Sequence, residues 1–221
     1  MMMLEVFAQN ANPQQAQKMS AYLRNRFVFF GLPAPLRRSL SKDFLKEKAS
    51  QDGIDWAWVY DMWAYDKREA QYLACDYLRQ KKVSRRLVLA DLKHLQQLIT
   101  SKSWWDSVDA LDEIVAVLLL KDDSTKSVIL TWAQADDFWL RRVAIDCQLG
   151  LKEAVDTELL ATVIGCNLAG SPFDKEFFVN KAIGWALRDY AKYNPDWVRD
   201  FIQAHQSQMS SLSLREASKY L

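Results

Sequence analysis

The stretch Ser103-Trp104-Trp105-Asp106-Ser107-Val108-Asp109 has counterparts before and after it. Set beneath one another, Arg68-Glu69-Ala70, Trp105-Asp106-Ser107, Arg142-Val143-Ala144 and Lys181-Ala182-Ile183 each open a helical pattern. From 68 to 105 is 37 residues, from 105 to 142 again 37, and from 142 to 181 is 39. That spacing is close to the period of a two-helix HEAT or armadillo repeat. Four residues on, the same register reads Tyr72, Asp109, Asp146 and Trp185, and positions i and i+4 share a helix face. Each repeat therefore offers two polar, charged or aromatic residues, whereas Leu73, Val108, Ile145 and Leu187 fall at packing offsets. The pattern predicts an all-α fold, an α-solenoid (superhelix) of HEAT-like, armadillo-type repeats whose polar register lines a concave groove.

The rest of the chain agrees. Apolar residues recur at helical spacing in segments near 12–30, 33–49, 54–65, 67–81, 90–100, 104–120, 124–134, 136–151, 156–168, 172–192, 195–206 and 212–220. Pro33 and Pro35 suit a helix start, Asp55 and Asp136 suit N-caps or first-turn acids, and Gly150 and Gly170 suit helix stops. Six Gly and five Pro in 221 residues leave few turn residues for a many-stranded sheet. No Gly/Ser-rich linker divides the series, so residues 1–221 read as one repeat domain.

Composition restricts function. A net charge of +1 does not advertise a nucleic-acid binder, though a local basic stripe remains open. Cys75, Cys147 and Cys166 lie far apart without a C-x-x-C pair, which fits reduced thiols and a cytoplasmic protein. The start, Met1 to Phe7, lacks the charge and length of a signal peptide, and no stretch has membrane-spanning length. With only His94 and His205, neither at ligand spacing, no metal site is expected.

Three segments carry a resemblance. They are Ser103 to Asp109, Phe138-Trp139-Leu140-Arg141-Arg142, and Phe177-Phe178-Val179-Asn180-Lys181-Ala182-Ile183-Gly184-Trp185-Ala186-Leu187-Arg188. They look like signature segments of the AlkD-like glycosylases of the DNA alkylation repair family. Tyr22-Leu23-Arg24-Asn25 with Gly31, and Trp63 with Arg68 to Leu73, resemble its N-terminal segments. The resemblance implies a monomeric, monofunctional DNA glycosylase that needs no cofactor or metal. Such a hydrolase excises alkylated bases, cationic N-methylated purines such as 3-methyladenine and 7-methylguanine, from duplex DNA. It further implies that the lesion need not enter a deep pocket.

Residue roles follow from that resemblance and from chemistry. An alkylated purine is already a cationic leaving group, so the enzyme mainly stabilises an oxocarbenium-like sugar and supplies water. Asp109 is the expected catalytic carboxylate, with Trp105 and Trp185 presenting π faces to the developing cation. Tyr22 is expected near the DNA backbone, Arg142 on phosphate through its guanidinium fork, and Lys181 and Arg188 as further contacts. The basic run Lys81-Lys82-Val83-Ser84-Arg85-Arg86 adds Lys81 and Lys82, with Arg24-Asn25-Arg26 and Arg37-Arg38 as smaller clusters. The plainer reading of Arg141-Arg142 is an exposed pair bridged to Asp136 or Asp137. Since adjacent helical residues point about 100° apart, only one can share the groove face, and Arg142 is favoured over Arg141. Asp106 reads as a local capping residue. The alternatives are a non-catalytic relative that binds damaged or branched DNA and a helical-repeat scaffold for another protein.

Overall fold

The computed structural model describes residues 2–221, leaving Met1 outside the described residues. The described residues form fourteen α-helices joined by short turns, with no strand beyond an isolated bridge between Val28 and Lys67. The fold class is all-α, of α-solenoid type. The chain divides into two compact units, residues 1–87 and 88–221. No helix is long and apolar enough to cross a membrane.

The first unit contains α1 (Met2–Gln9), α2 (Pro13–Tyr22), α3 (Ala34–Lys48), α4 (Trp56–Ala64), α5 (Arg68–Leu78) and α6 (Lys81–Ser84). Here α5 packs against α3, α4 and α6, and α1 packs on α3. Two expectations fail locally. Helix α1 lies outside the expected segments, and its Met3, Leu4 and Phe7 are buried. The helix expected over 12–30 ends at Tyr22, because Arg24 and Asn25 take positive φ and the chain then runs extended.

Glu69 explains that extended run. Its carboxylate, fully buried, accepts the backbone N–H groups of Phe30 (2.9 Å), Gly31 (2.8 Å) and Leu32 (3.1 Å). It thereby satisfies donors that a helix would otherwise have paired with carbonyls. Gly31 has φ +93°, and a Cβ there would sit 2.0 Å from the Asn12 carbonyl oxygen, so only glycine fits.

The second unit contains α7 (Leu92–Ile99), α8 (Trp105–Lys121), α9 (Thr125–Trp132), α10 (Phe138–Asp146), α11 (Thr157–Gly165), α12 (Phe177–Tyr190), α13 (Pro195–His205) and α14 (Ser211–Ala217). Helices α8, α10, α12 and α14 touch in sequence as one layer, while α7, α9 and α11 back them as the other. Within this unit the register therefore marks successive helices of a single layer, α8, α10 and α12. Arg68 and Trp105 open their helices, but α10 and α12 begin four residues before Arg142 and Lys181. An offset of four residues is about one helical turn, so the facing is preserved.

Asp137, rather than Asp136, caps α10, accepting from the amides of Trp139 and Leu140. Asp55 caps α4 as expected. Trp104, Trp139 and Phe178 pack at the starts of the three neighbouring helices α8, α10 and α12, with ring centroids 4.8 to 5.9 Å apart. Such aromatic pairs add about 0.5–1.5 kcal/mol each beyond the area they bury. This cluster fixes the mutual register of the helices that carry Asp109, Arg142 and Trp185.

Candidate active site

Asp109 lies one turn into α8 and its side chain is 27 % exposed. It reaches the start of a recess of about 390 Å³ lined also by Asp112, Asp146, Cys147 and Trp185. Behind it stands Arg142, whose side chain is 1 % exposed. The guanidinium donates from Nε to Asp109 Oδ1 at 2.9 Å and from Nη1 to the Phe178 carbonyl at 2.8 Å. Its Nη2 forms an ion pair with Asp146 Oδ2 at 3.2 Å. All three guanidinium nitrogens thus face protein acceptors, and Arg142, expected on phosphate, is buried here and holds Asp109 in one orientation.

The layer spacing makes this possible. Arg142 and Asp146 are successive turns of α10, between α8 and α12, so one side chain can span from the α8 carboxylate to an α12 carbonyl. Arg142 also lies 5.3 Å from the centre of the Trp185 ring. Of the register residues expected to line the groove, Trp105, Asp109, Lys181 and Trp185 are half-exposed, whereas Arg68, Arg142 and Asp146 are buried. Arg68 stacks over Phe27 at 3.8 Å. Burial of these charges is tolerated where each meets a partner.

Asp109, Asp112 and Asp146 bring a carboxylate oxygen each within 4.8 Å of one another. Oxygens at that spacing suit a hard cation, yet the positive charge among them is the guanidinium of Arg142. Burial raises the pKa of Asp109, partly countered by Arg142. It raises Asp112 well above the carboxylate range, with Asp146 adding repulsion, and lifts Asp146 to about 7 against the pull of Arg142. Burial alone would lower the Arg142 pKa, but Asp146 and Asp109 outweigh it and hold the guanidinium charged. Burial pushes the Cys147 thiol up, which leaves it a poor nucleophile.

A second charge cluster lies on α12 and α14. Lys181 (3.0 Å), Arg188 (2.7 Å) and Lys219 (2.8 Å) converge on Glu216. Lys219 and Lys181 hold its carboxyl down to about 2. Lys181 and Arg188 also flank the Trp185 ring, at 5.4 and 5.9 Å from its centre. Gly184 permits the approach, since a Cβ there would meet Glu216 Cβ at 2.5 Å. Asp112 and Glu216 carry no sign of these roles in the sequence, because each looks like an ordinary surface acid on a helix. The register includes Asp146 but does not mark it as a buried partner. For Glu216 the signal present in the sequence is Gly184 within a helix, a mark of close approach.

The remaining site residues belong to the first unit or to other surfaces. Tyr22 ends α2 and is 72 % exposed. Lys81 and Lys82 are exposed on the short α6. Arg86, from the same basic run, donates to the carbonyls of Gln51 and Gly53. Arg141, expected to pair with Asp136 or Asp137, instead donates to the Ala135 and Gln134 carbonyls and to Asn167. Asp106 lies in the first turn of α8, and Trp105, one turn before Asp109, is half-buried.

Comparison with known proteins identifies the family of the chain. Residues 3–221 match the family described as DNA alkylation repair enzyme. Among solved structures, a predicted DNA alkylation repair enzyme from Enterococcus faecalis is 36 % identical, with a TM-score of 0.85 over 96 % of each chain. No curated protein matches the chain. The chain belongs to the DNA alkylation repair enzyme family.

Proposed function

We propose that the protein is a monofunctional DNA glycosylase that hydrolyses the N-glycosidic bond of cationic N-methylated purines, such as 3-methyladenine and 7-methylguanine, in duplex DNA. The observation that carries this reading is the Asp109 carboxylate. It is partly open to solvent, fixed by a buried Arg142 at 2.9 Å, and set beside a recess walled by Trp185. A part-buried carboxylate held in one orientation is what a dissociative sugar reaction needs: it opposes the growing positive charge and directs a water.

In the reaction, the C1′–N bond breaks and its electron pair leaves with the purine, cancelling the positive charge of the base. Water adds its oxygen to C1′ and loses a proton toward Asp109. Burial raises the Asp109 pKa, which makes it a stronger acceptor for that proton than a surface carboxylate. Trp105 and Trp185 supply the aromatic faces flanking the cationic sugar. Lys181 and Arg188 form a cationic rim near Trp185. Tyr22, Lys81 and Lys82 are the contacts proposed for the first unit.

The test is release of methylated bases from methylated duplex DNA, separated by chromatography, for wild type and Asp109→Asn. Release by wild type that vanishes in a variant still binding duplex establishes the reading. Undiminished release by Asp109→Asn refutes the assigned carboxylate. Duplex binding without release by folded wild type leaves the non-catalytic alternative.

A further inference from the structure

In the first unit, α3 and the end of α5 enclose an open groove of about 760 Å³. Arg38, Lys42 and Lys46 project along it from α3, all three exposed. Spaced four apart, they form one stripe, and eight residues of helix extend it over about 12 Å. Arg79 stands at the opposite wall.

The acids nearby offset this stripe only in part. Asp76, the acid in the groove lining, is 12 % exposed and is bonded to Arg37 at 2.9 Å, with Arg38 at 3.9 Å. Asp43 lies about 100° around α3 from Lys42 but only about 60° from Lys46, and Glu47 lies about 100° from Lys46, so Asp43 is the exposed acid beside the stripe. Among the described residues, neither Lys42 nor Lys46 forms an ion pair or a side-chain hydrogen bond. The contrast with the second unit is direct. There Lys181 and Arg188, the cations that the family resemblance assigns to phosphate, are both engaged by Glu216.

We propose that the Arg38, Lys42 and Lys46 face is a track for the phosphate backbone of duplex DNA, separate from the base-removal residues. About 12 Å of stripe matches the axial rise of three to four nucleotides of one strand, each with its charge. The groove lining contains no aromatic anchor of the kind that protein partners bury at an interface centre. This inference rests on the duplex-DNA reading above and adds the residues that would hold the flank of the duplex.

The experiment measures the affinity of the full chain for a lesion-free duplex across a potassium chloride series. Wild type is compared with Arg38→Ala/Lys42→Ala/Lys46→Ala and with Lys93→Ala, an exposed lysine of α7, as control; thermal melts verify folding. Each phosphate contact contributes about 0.9 to the slope of log affinity against log salt. The triple variant is expected to lose about 2.7 of that slope, with Lys93→Ala unchanged. An unchanged slope in the folded triple variant, or an equal loss per charge from Lys93→Ala, overturns the track while leaving the glycosylase reading intact. Wild type that fails to bind the lesion-free duplex also overturns the track, and base release from methylated duplex then decides the glycosylase reading by itself.

Discussion

Arg142 and Asp109 form a charge-assisted hydrogen bond of 2.9 Å in which the cation is buried and the anion faces outward. The asymmetry has a functional meaning. A buried guanidinium, locked also to Asp146 and the Phe178 carbonyl, cannot follow a moving substrate, so it transmits its fixed position to the carboxylate. Preorganisation of this kind lets Asp109 oppose a developing cation without reorienting when charge appears.

Arg142→Ala is therefore expected to remove base release and to destabilise the protein by about 1–3 kcal/mol, since Asp109, Asp146 and the Phe178 carbonyl lose their donor. The loss should grow above about pH 7, where Asp146 must either hold a proton or stay charged without its partner. Urea unfolding reads the loss. Adding Asp146→Asn to Arg142→Ala should restore part of the stability but not the release. A double variant no more stable than Arg142→Ala would show that the Asp146 contact carries none of the cost.

The buried carboxylates set a pH dependence. Asp146 is raised to about 7 and Asp112 lies well above its ordinary value, so the folded state keeps protons that the unfolded chain has released. Where the folded state binds more protons, stability falls as pH rises. Stability from these groups is present below about pH 4, the ordinary carboxylate value, and is lost as pH climbs through about 7. Asp112→Asn removes one of the crowded charges and is expected to flatten that decline and raise the melting temperature at about pH 8, above the Asp146 value. A decline as steep as wild type would show that Asp112 is not among the groups responsible.

How much of this is legible in the sequence depends on the kind of interaction. The 37-residue register locates α8, α10 and α12 because periodic apolar burial is a local signal, and the comparisons bear out the family resemblance. It cannot tell which register charges are buried. Trp105 and Arg142 occupy equivalent positions, yet Arg142 sits between two neighbouring helices and is enclosed, a distinction made by partners 33 and 36 residues away. The early end of α2 is hidden for the same reason: the acceptor for residues 30–32 is Glu69, nearly 40 positions on. The cations of α3 draw less notice than Lys81 and Lys82 because a stripe at every fourth residue is less visible in a sequence than a run.

Gly184→Ala tests the α12–α14 contact. Alanine favours a helix interior by about 1 kcal/mol over glycine, but its methyl would meet Glu216 Cβ at 2.5 Å and the Ser213 carbonyl at 3.1 Å. Overpacking of this kind costs about 1–3 kcal/mol, so a lower melting temperature is expected. A rise instead would mean that α14 shifts away freely.

Glu216→Gln separates the structural from the DNA-facing duties of Lys181 and Arg188. The carboxyl is held to about 2 by Lys219 and Lys181, so its folded pKa lies below the unfolded value. Its contribution to stability is present above pH 4.5 and is lost as pH falls toward 2. The variant should therefore be less stable than wild type at about pH 7, with the gap closing in acid. At the same time it frees cations that the wild type holds on a carboxylate. If Lys181 and Arg188 reach phosphate, duplex affinity should rise at low salt, and the salt slope should steepen by as much as about 1.8, two phosphates at about 0.9 each. An unchanged slope in a folded Glu216→Gln protein would assign both cations to holding α14 against α12.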